Sequence, residues 1–314
     1  MISIIIPCYN ASPYIKNSIE TLKKQTNGQW EAIYVNDGSI DDTLSLLEYH
    51  AASDSRFKIY TQENRGAAKA REYGITKAKG DYITFLDVDD TFTPYALEEL
   101  YKRTKFNPDI IVTGFNIIKN NKLVKKKKIS FIETDNISYL KEVLVGKYGL
   151  ELCGKAFHRD LFNNNKIKCP NNIRIGEDGI VFIQLILKAK KIIGFNTAIY
   201  NYIQHALSAS HTKSTQYAEE AMKAAMHIEE ILGKQYFYKD IKDEISAMFL
   251  LFYSTSTFKG YLDRKHKIIK FMAKNHLRLK PLLKIPFTKS IYILLTYYTN
   301  GYIIKYAEKL KNNI

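Results

Sequence analysis

Along the first 114 residues, short apolar runs alternate with amphipathic stretches, regularly enough to predict the elements. Residues 3–7, 32–36, 58–60, 82–86 and 109–113 read as strands, because each run is brief, apolar and bounded by polar or glycine positions. Between them, residues 14–25, 42–52, 67–78 and 94–104 read as helices, several opened by Ser, Asp or Pro. Strands that are apolar without alternation are buried on both faces, so this order predicts an α/β sheet covered by helices on either side. Ligands in such sheets collect beyond the carboxyl ends of the strands. The polar clusters fall there: Pro7-Cys8-Tyr9-Asn10 after the first strand, Asn36-Asp37-Gly38-Ser39 after the second, and Asp87-Val88-Asp89-Asp90 after the fourth.

Later the pattern changes. Residues 116–128 read as a polar hairpin or flap ending in four consecutive lysines, Lys125 to Lys128. A second block, 153–211, holds a helix starting near Asp178 and strands at 192–195 and 199–203. Beyond about Thr215 only helical patterns remain, with breaks near Gly233, Gly260 and Pro281 to Pro286. The expected organisation is a catalytic region over 1–214, in halves 1–114 and 115–214, followed by a helical region over 215–314. There is no internal repeat.

Composition adds bounds. The chain has 314 residues, 46% hydrophobic and 25% charged, which is ordinary for a globular protein with a substantial core. Cys8, Cys153 and Cys169 form no CxxC pair and leave an odd count, so a reducing, cytoplasmic compartment is expected rather than a disulfide scaffold. No secretory pattern opens the sequence, and no stretch of eighteen uninterrupted apolar residues predicts a membrane span. The net charge of +15 is uneven: residues 259–314 carry 13 Lys or Arg against two acids, a net +11, while the preceding 258 residues carry +4. Lysines there alternate with Ile, Leu, Phe and Tyr, a pattern that suits peripheral attachment to an anionic membrane at its inner face. A helical cap on the catalytic region or a dimer contact fits the same pattern.

The chemistry concentrates at Asp87, Asp89 and Asp90. Three carboxylates at a strand end repel one another unless a cation sits among them. Oxygen donors of this kind suit Mg²⁺ or Mn²⁺, which usually keep waters and hold substrate phosphates. An acidic turn capping the next helix is the plainer alternative. Tyr9 offers an aromatic face on which a base can stack, and Asp37 can accept from a uracil N–H. Asn64 to Gly74 reads as a loop entering a helix whose N-terminus favours phosphate, with Lys69 or Arg71 adding charge.

Taken together these stretches resemble the family 2 glycosyltransferases of the GT-A fold, a Rossmann-like α/β sheet to which this chain adds a C-terminal helical region. The resemblance rests on Ser3-Ile4-Ile5-Ile6-Pro7-Cys8-Tyr9-Asn10, Val35-Asn36-Asp37-Gly38-Ser39, Asn64-Arg65-Gly66-Ala67-Ala68-Lys69-Ala70-Arg71, the run from Gly80 to Asp90, and Gly176-Glu177-Asp178, in the family's order over roughly residues 1–210. It implies an inverting, metal-dependent transfer of a hexose or N-acetylhexosamine from a UDP-sugar to a glycan hydroxyl. The products implied are capsule, lipooligosaccharide or another surface polysaccharide, on an oligosaccharide or lipid-linked acceptor. Pro7, Tyr9, Asn10, Asp37, Asn64, Arg71 and Asp87 would contact the nucleotide; Asp89 with Asp87, and His211, would hold Mn²⁺ or Mg²⁺. Asp178 would be the base, with Glu177 at the acceptor. A helix cap is the simpler reading of Glu177-Asp178 on its own.

Two positions depart from the family pattern. Glu72 stands where a small or amide residue is commoner, and Cys153-Gly154-Lys155 replaces a Trp-Gly-Lys that would line the acceptor region. Other classes lack their signatures. A dinucleotide oxidoreductase would carry Gly-x-Gly-x-x-Gly after the first strand. A nucleotidylyltransferase would carry a Gly-rich basic loop there. A non-catalytic scaffold or nucleic-acid binder using the basic tail leaves Asp37, Asp87, Asp89 and Asp178 unexplained, and no nucleic acid is expected as a partner.

Overall fold

The computed structural model describes residues 1–163, 167, 173–204, 215–258 and 273–299. Ile2, Ile4, Ile5 and Ile6 leave no polar face on β1 (Ile2–Cys8), and this strand accordingly lies inside the sheet with every one of them buried. It pairs in parallel with β2 (Trp30–Asp37) on one side and β4 (Tyr82–Phe85) on the other. Among the described residues the path of the sheet runs β3 (Phe57–Gln62), β2, β1, β4, β9 (Lys155–His158), β6 (Ile110–Lys119), β10 (Ile192–Gln204), β5 (Thr91–Phe92). To these, β7 (Lys122–Lys127) adds on β6 and β8 (Glu133–Thr134) on β10. β1 to β4 are parallel, β9 runs against both β4 and β6, and β10 is again parallel to β6.

The helices between the parallel strands are α1 (Ile15–Lys23), α2 (Thr43–Ala51), α3 (Ala67–Lys77) and α4 (Ala96–Thr104). On α1, Ile15, Ser18, Ile19 and Leu22 are buried, the spacing that a single helix face requires. The one hydroxyl on that face, Ser18, meets the buried Tyr34 hydroxyl at 2.8 Å. Expected strands and helices up to Thr113 are thus found, and β2 extends to include Asp37.

Several elements differ from the pattern-based reading. The strands expected at 192–195 and 199–203 are one strand, β10, whose register against β6 shifts at Phe195/Ala198 and Ala198/Tyr200. The irregularity turns Asn196 and Thr197 outward, which breaks the apolar run, and Asn196 Oδ1 accepts from the Ile129 N–H at 2.9 Å. β9 is one of three strands the pattern did not announce, the others being the two-residue β5 and β8. β9 has four residues and opens on a lysine, and only its antiparallel neighbours β4 and β6 make it a strand.

The remaining α-helices among the described residues are α5 (Asn136–Leu144), α6 (Asp160–Asn163), α7 (Glu177–Lys188), α8 (Thr215–Gly233), α9 (Lys242–Phe258), α10 (Leu279–Leu283) and α11 (Phe287–Tyr298). The chain forms two compact units. One contains Met1–Tyr139, Glu151–Cys169 and Gln184–His205; the other contains Leu140–Leu150, Pro170–Ile183 and Ala206–Ile314. In the second unit Met222, Ala225, Ile228 and Leu232 of α8 are buried, as are Ile245, Met248, Phe249 and Tyr253 of α9.

His276 belongs to this second unit. Its ring stacks on Phe249 at 3.9 Å and lies 3.2 Å from Ser246 Oγ, whose other contact is the Arg278 guanidinium at 2.9 Å. Burial, and then the Arg278 charge, push the imidazole down from 6.5 to about 4. The unfolded chain therefore binds a proton at a pH where the folded one does not, and stability falls as pH drops from about 6.5 towards 4. The expected outcome is a urea midpoint that declines across this window in the native protein and declines less in His276→Gln, measured on the full chain. Parallel curves for the two would show that His276 is not the group responsible.

Candidate active site

The carboxyl ends of β1 and β2 are stitched to each other by short polar side chains. Asn10 takes a left-handed backbone, with φ of 46°, which brings its N–H to Ser39 Oγ at 3.0 Å while its Oδ1 accepts from Ile40 at 3.0 Å. Ala11 N–H donates to Thr43 Oγ1 at 2.7 Å. Gly38 is required at the crossing: its φ is +69°, and a Cβ there would stand 2.8 Å from the backbone nitrogen of Asn64. Pro7 sits within β1 opposite Val35, and Tyr9, just past the strand, is half exposed. Asn64 is exposed beside the Gly38 turn.

Asp37 is buried, and its carboxylate organises the loop that enters α3. Oδ1 accepts from Gln62 Nε2 at 2.7 Å and from the Arg65 N–H at 2.9 Å; Oδ2 accepts from the Gly66 N–H at 2.8 Å. An ionised carboxylate offers about four acceptor sites, so three protein donors leave room for one more. The loop delivers α3 with Arg71 buried in its second turn, and Arg71 Nη2 donates to Asp87 Oδ1 at 2.9 Å. Lys69, the other cation of this stretch, is paired at 2.5 Å with Glu72, the residue that departs from the family pattern.

Beyond β4 the three carboxylates are treated differently. Asp90 is 2% exposed, and both its oxygens are met from β10: Tyr200 Oη donates to Oδ2 at 2.5 Å and the Ile203 N–H to Oδ1 at 2.7 Å. Tyr200 Oη in turn accepts from the Asp87 N–H at 3.4 Å, and the Asp90 N–H closes a turn on the Asp87 carbonyl at 3.0 Å. Burial, and then the Asp87 charge, push the Asp90 carboxyl up to about 8. Asp87 remains 39% exposed and Asp89 is half-buried.

A cleft of about 280 Å³ opens on Asp87 and Asp90, lined by Phe115, Ile117, Glu151, Cys153, Tyr200 and Tyr202. The register explains its lining: Tyr200 pairs with Phe115 and Tyr202 with Ile117, so period-two alternation sets these four on one face. Asn116 and Asn201 share the other face and bond each other at 2.8 Å. Lys155, 3% exposed, is tied to Glu151 through its carbonyl at 2.5 Å and its carboxylate at 3.2 Å.

The pattern-based reading did not single out Tyr200 or Glu151. Tyr200 sits in an apolar run that reads as core, and its only signal is that a buried phenol needs a polar partner. Glu151 precedes the Cys153-Gly154-Lys155 stretch with no motif of its own.

Glu177 and Asp178 belong to the second unit, half-buried in the first turn of α7. Gly176 holds that turn against α8, with φ of +86° and space so tight that a Cβ would stand 2.7 Å from Ala224 Cβ. His211 lies outside the described residues. Among the described residues no three His, Cys, Asp or Glu side chains form a cage able to hold a metal alone. Two half-open carboxylates are nonetheless what Mg²⁺ or Mn²⁺ takes when phosphates and water complete its shell, so Asp87 and Asp89 fit such an ion.

Comparison with known proteins follows the same region. The sequence model described as glycosyl transferase family 2 matches residues 3–165. The chain is 27% identical over 271 residues to a cholesterol galactosyltransferase of Borreliella burgdorferi, covering 82% of this chain and 75% of that protein. It is 36% identical over 166 residues to the Escherichia coli UDP-Glc:alpha-D-GlcNAc-diphosphoundecaprenol beta-1,3-glucosyltransferase WfgD, covering 52% of this chain and 62% of that one. Among solved structures, Staphylococcus aureus TarS in complex with UDP superposes with a TM-score of 0.72 at 18% identity, over 99% of this chain and 91% of that one. The Pyrobaculum calidifontis mannosyltransferase PcManGT, in complex with GDP-Man and Mn²⁺, superposes with a TM-score of 0.53 at 16% identity, over 96% and 87%. These structures share the GT-A fold with this chain.

Removing the Tyr200 hydroxyl tests the anchoring of the carboxylate turn. Tyr200→Phe leaves Asp90 Oδ2 buried without its donor and is expected to cost about 1–3 kcal/mol of stability. Urea unfolding of the variant measures this, and an unchanged midpoint would show that the bond carries no weight.

Proposed function

Because the chain belongs to glycosyl transferase family 2, we propose that it moves a hexose or N-acetylhexosamine from a UDP-sugar to a hydroxyl of a surface-glycan acceptor, with inversion at the anomeric carbon. The observation that carries this reading is the Asp87–Asp90 turn at the carboxyl edge of the sheet, with Arg71 on Asp87 and an apolar-walled cleft beside it. TarS solved with UDP and with UDP-GlcNAc, and WfgD with its UDP-Glc donor, support a uridine donor. The diphosphoundecaprenol-linked acceptor in the WfgD name supports a lipid-linked glycan as acceptor.

In this reading Tyr9, half exposed at the end of β1, stacks on the base. Asp37 takes the uracil N–H on its remaining acceptor site. Pro7, Asn10 and Asn64 shape the wall around the nucleoside. Asp87 and Asp89, with His211 as a further ligand, would hold Mn²⁺ or Mg²⁺, whose charge offsets the negative charge that develops on the departing diphosphate. Arg71 positions the Asp87 carboxylate by occupying one oxygen. Asp178 accepts the proton of the acceptor hydroxyl as that oxygen attacks the anomeric carbon, and Glu177 binds the acceptor beside it. Attack opposite the leaving UDP makes an α-linked donor give a β-linked product.

Peripheral attachment at the inner membrane face is part of the proposal. No helix among the described residues is long and apolar enough to cross a membrane. The C-terminal helices carry an inverted polarity instead. Ser290 and Thr296 of α11 are buried with Ile293, while Phe287, Ile291, Leu295 and Tyr298 are exposed, in line with exposed Leu279 and Leu283 of α10. A helix that hides hydroxyls and presents rings and branched chains has a second apolar phase to meet. Arg278, Lys280 and Lys289 beside it suit an anionic one.

Three measurements test the reading. A panel of UDP-sugars assayed for UDP release with Mn²⁺, Mg²⁺ and EDTA should give slow metal-dependent hydrolysis of one donor; failure of UDP with Mn²⁺ to raise the melting temperature would remove the donor class. Asp178→Asn should retain UDP binding and lose transfer by about 10²–10⁴-fold, and substantial retained transfer would take Asp178 out of the base role. Asp89→Ala should weaken Mn²⁺-dependent UDP affinity, and an unaltered Mn²⁺-dependent affinity in the variant would refute the ligand assignment.

A further inference from the structure

The sheet extends past its catalytic edge as a two-stranded ribbon that the reaction does not use. β6 and β7 are joined by Asn120 and Asn121, both with left-handed backbones (φ 50° and 58°), the turn that a tight hairpin requires. Every residue of β7 is exposed. From Phe115 to Ile132 the chain carries six lysines, Lys119, Lys122 and Lys125 to Lys128, and no acid. Two apolar side chains sit at the tip of this charge, Leu123 at 59% and Val124 at 55% exposure. Val124 falls at the register shift between Ile117 and Ile118, which swings the tip away from a flat ladder.

Lysines on an edge strand also deter sheet-to-sheet pairing, and one or two suffice for that. They would not explain two exposed aliphatic side chains placed together at the tip. A soluble polyanion would be met by the lysines alone and gives Leu123 and Val124 nothing to enter. An anionic lipid surface uses both, headgroup charge for the ammonium groups and the acyl boundary for the aliphatic tip.

Position adds function to the surface. Lys127 pairs with Phe115 and Lys125 with Ile117 across the ribbon, and directly opposed residues share a face. Phe115 and Ile117 line the cleft that opens on Asp87 and Asp90. We propose that the β6–β7 hairpin is a contact for anionic lipid that turns the cleft towards the membrane surface, where a lipid-carried acceptor is presented. This deepens the membrane attachment proposed above and adds a contact carried by the first unit.

The test is co-sedimentation of the full chain with vesicles of phosphatidylglycerol and phosphatidylcholine, and with phosphatidylcholine alone, at two salt concentrations. The variants are Lys125→Gln with Lys126→Gln, Lys127→Gln and Lys128→Gln; Leu123→Ser with Val124→Ser; and, on α11, Phe287→Ser with Leu295→Ser. A lysine at an anionic surface contributes about fivefold before screening, so the quadruple variant should lose at least about tenfold in partitioning. The tip variant should lose several-fold, most clearly at high salt, where charge is screened. The urea midpoints of these exposed-site variants should match the native protein. Hairpin variants that sediment like the native chain, while the α11 variant does not, would overturn the hairpin and leave the membrane reading standing. No sedimentation of the native chain would overturn both. Equal capture of the native chain by soluble polyphosphate, with no effect of the tip variant, would reassign the hairpin to polyanions.

Discussion

A carboxylate at 2% exposure is the constraint on which this site depends. A carboxyl group taken out of water is costly unless its oxygens are met, and among the described residues the donors that meet those of Asp90 are on β10, with β9 and β6 lying between it and β4. The Tyr200 phenol does this twice over, donating to Asp90 and accepting from the Asp87 N–H. The turn that carries Asp87 and Asp89 is therefore pinned from a strand more than a hundred residues away. Arg71 completes the arrangement from the other side. Its guanidinium offsets the Asp87 charge that, after burial, does most to raise the Asp90 carboxyl. Neutralising Asp87 and anchoring Asp90 are thus one problem with two solutions, Arg71 on α3 and Tyr200 on β10.

The same economy governs Asp37. Its three protein donors fix the loop that aims α3, and α3 supplies Arg71. A residue assigned to the base by resemblance is here also the keystone of a chain running Asp37, Gly66, Arg71, Asp87. Both roles are compatible because a carboxylate has more acceptor sites than these donors fill. Under the proposed donor site, substitution at Asp37 would disturb Arg71 and Asp87 as well as the contact to the base, and the two effects would be inseparable in a simple affinity measurement.

What was legible in the sequence follows physical locality. β1, β2 and β4 are continuous apolar runs ending in polar clusters, and nothing distant is needed to recognise them. Asp37, Asp87 and Asp89 declare themselves because each is a carboxylate placed directly at the carboxyl end of an apolar run, and Asp37 shows that such a group can still be buried where loop N–H groups meet it. Tyr200 and Glu151 do not, since each acquires meaning only through a partner brought in by pairing: Asp90 for the first, Lys155 for the second. β9 was hidden for the same reason, its strand character being a gift of β4 and β6. The single β10 was split in the reading because its outward Asn196 and Thr197 look like a turn, and it takes the register of β6 to show a bulge.

Charge along the chain carries a separate argument. Surface attraction in physiological salt decays over about 8 Å, whereas a six-residue strand such as β7 spans roughly 20 Å. Lysines spread along the whole ribbon cannot all act on a plane that meets it end-on. They act together only if the ribbon lies along that plane, and Leu123 and Val124 at its tip then set the depth. Lying flat brings the face shared by Lys125, Lys127, Phe115 and Ile117 alongside the surface. An acceptor carried in that surface would reach the cleft by lateral diffusion, with the protein already oriented. Under the proposed lipid contact, the lysine run would serve the supply of the acceptor rather than the chemistry of transfer.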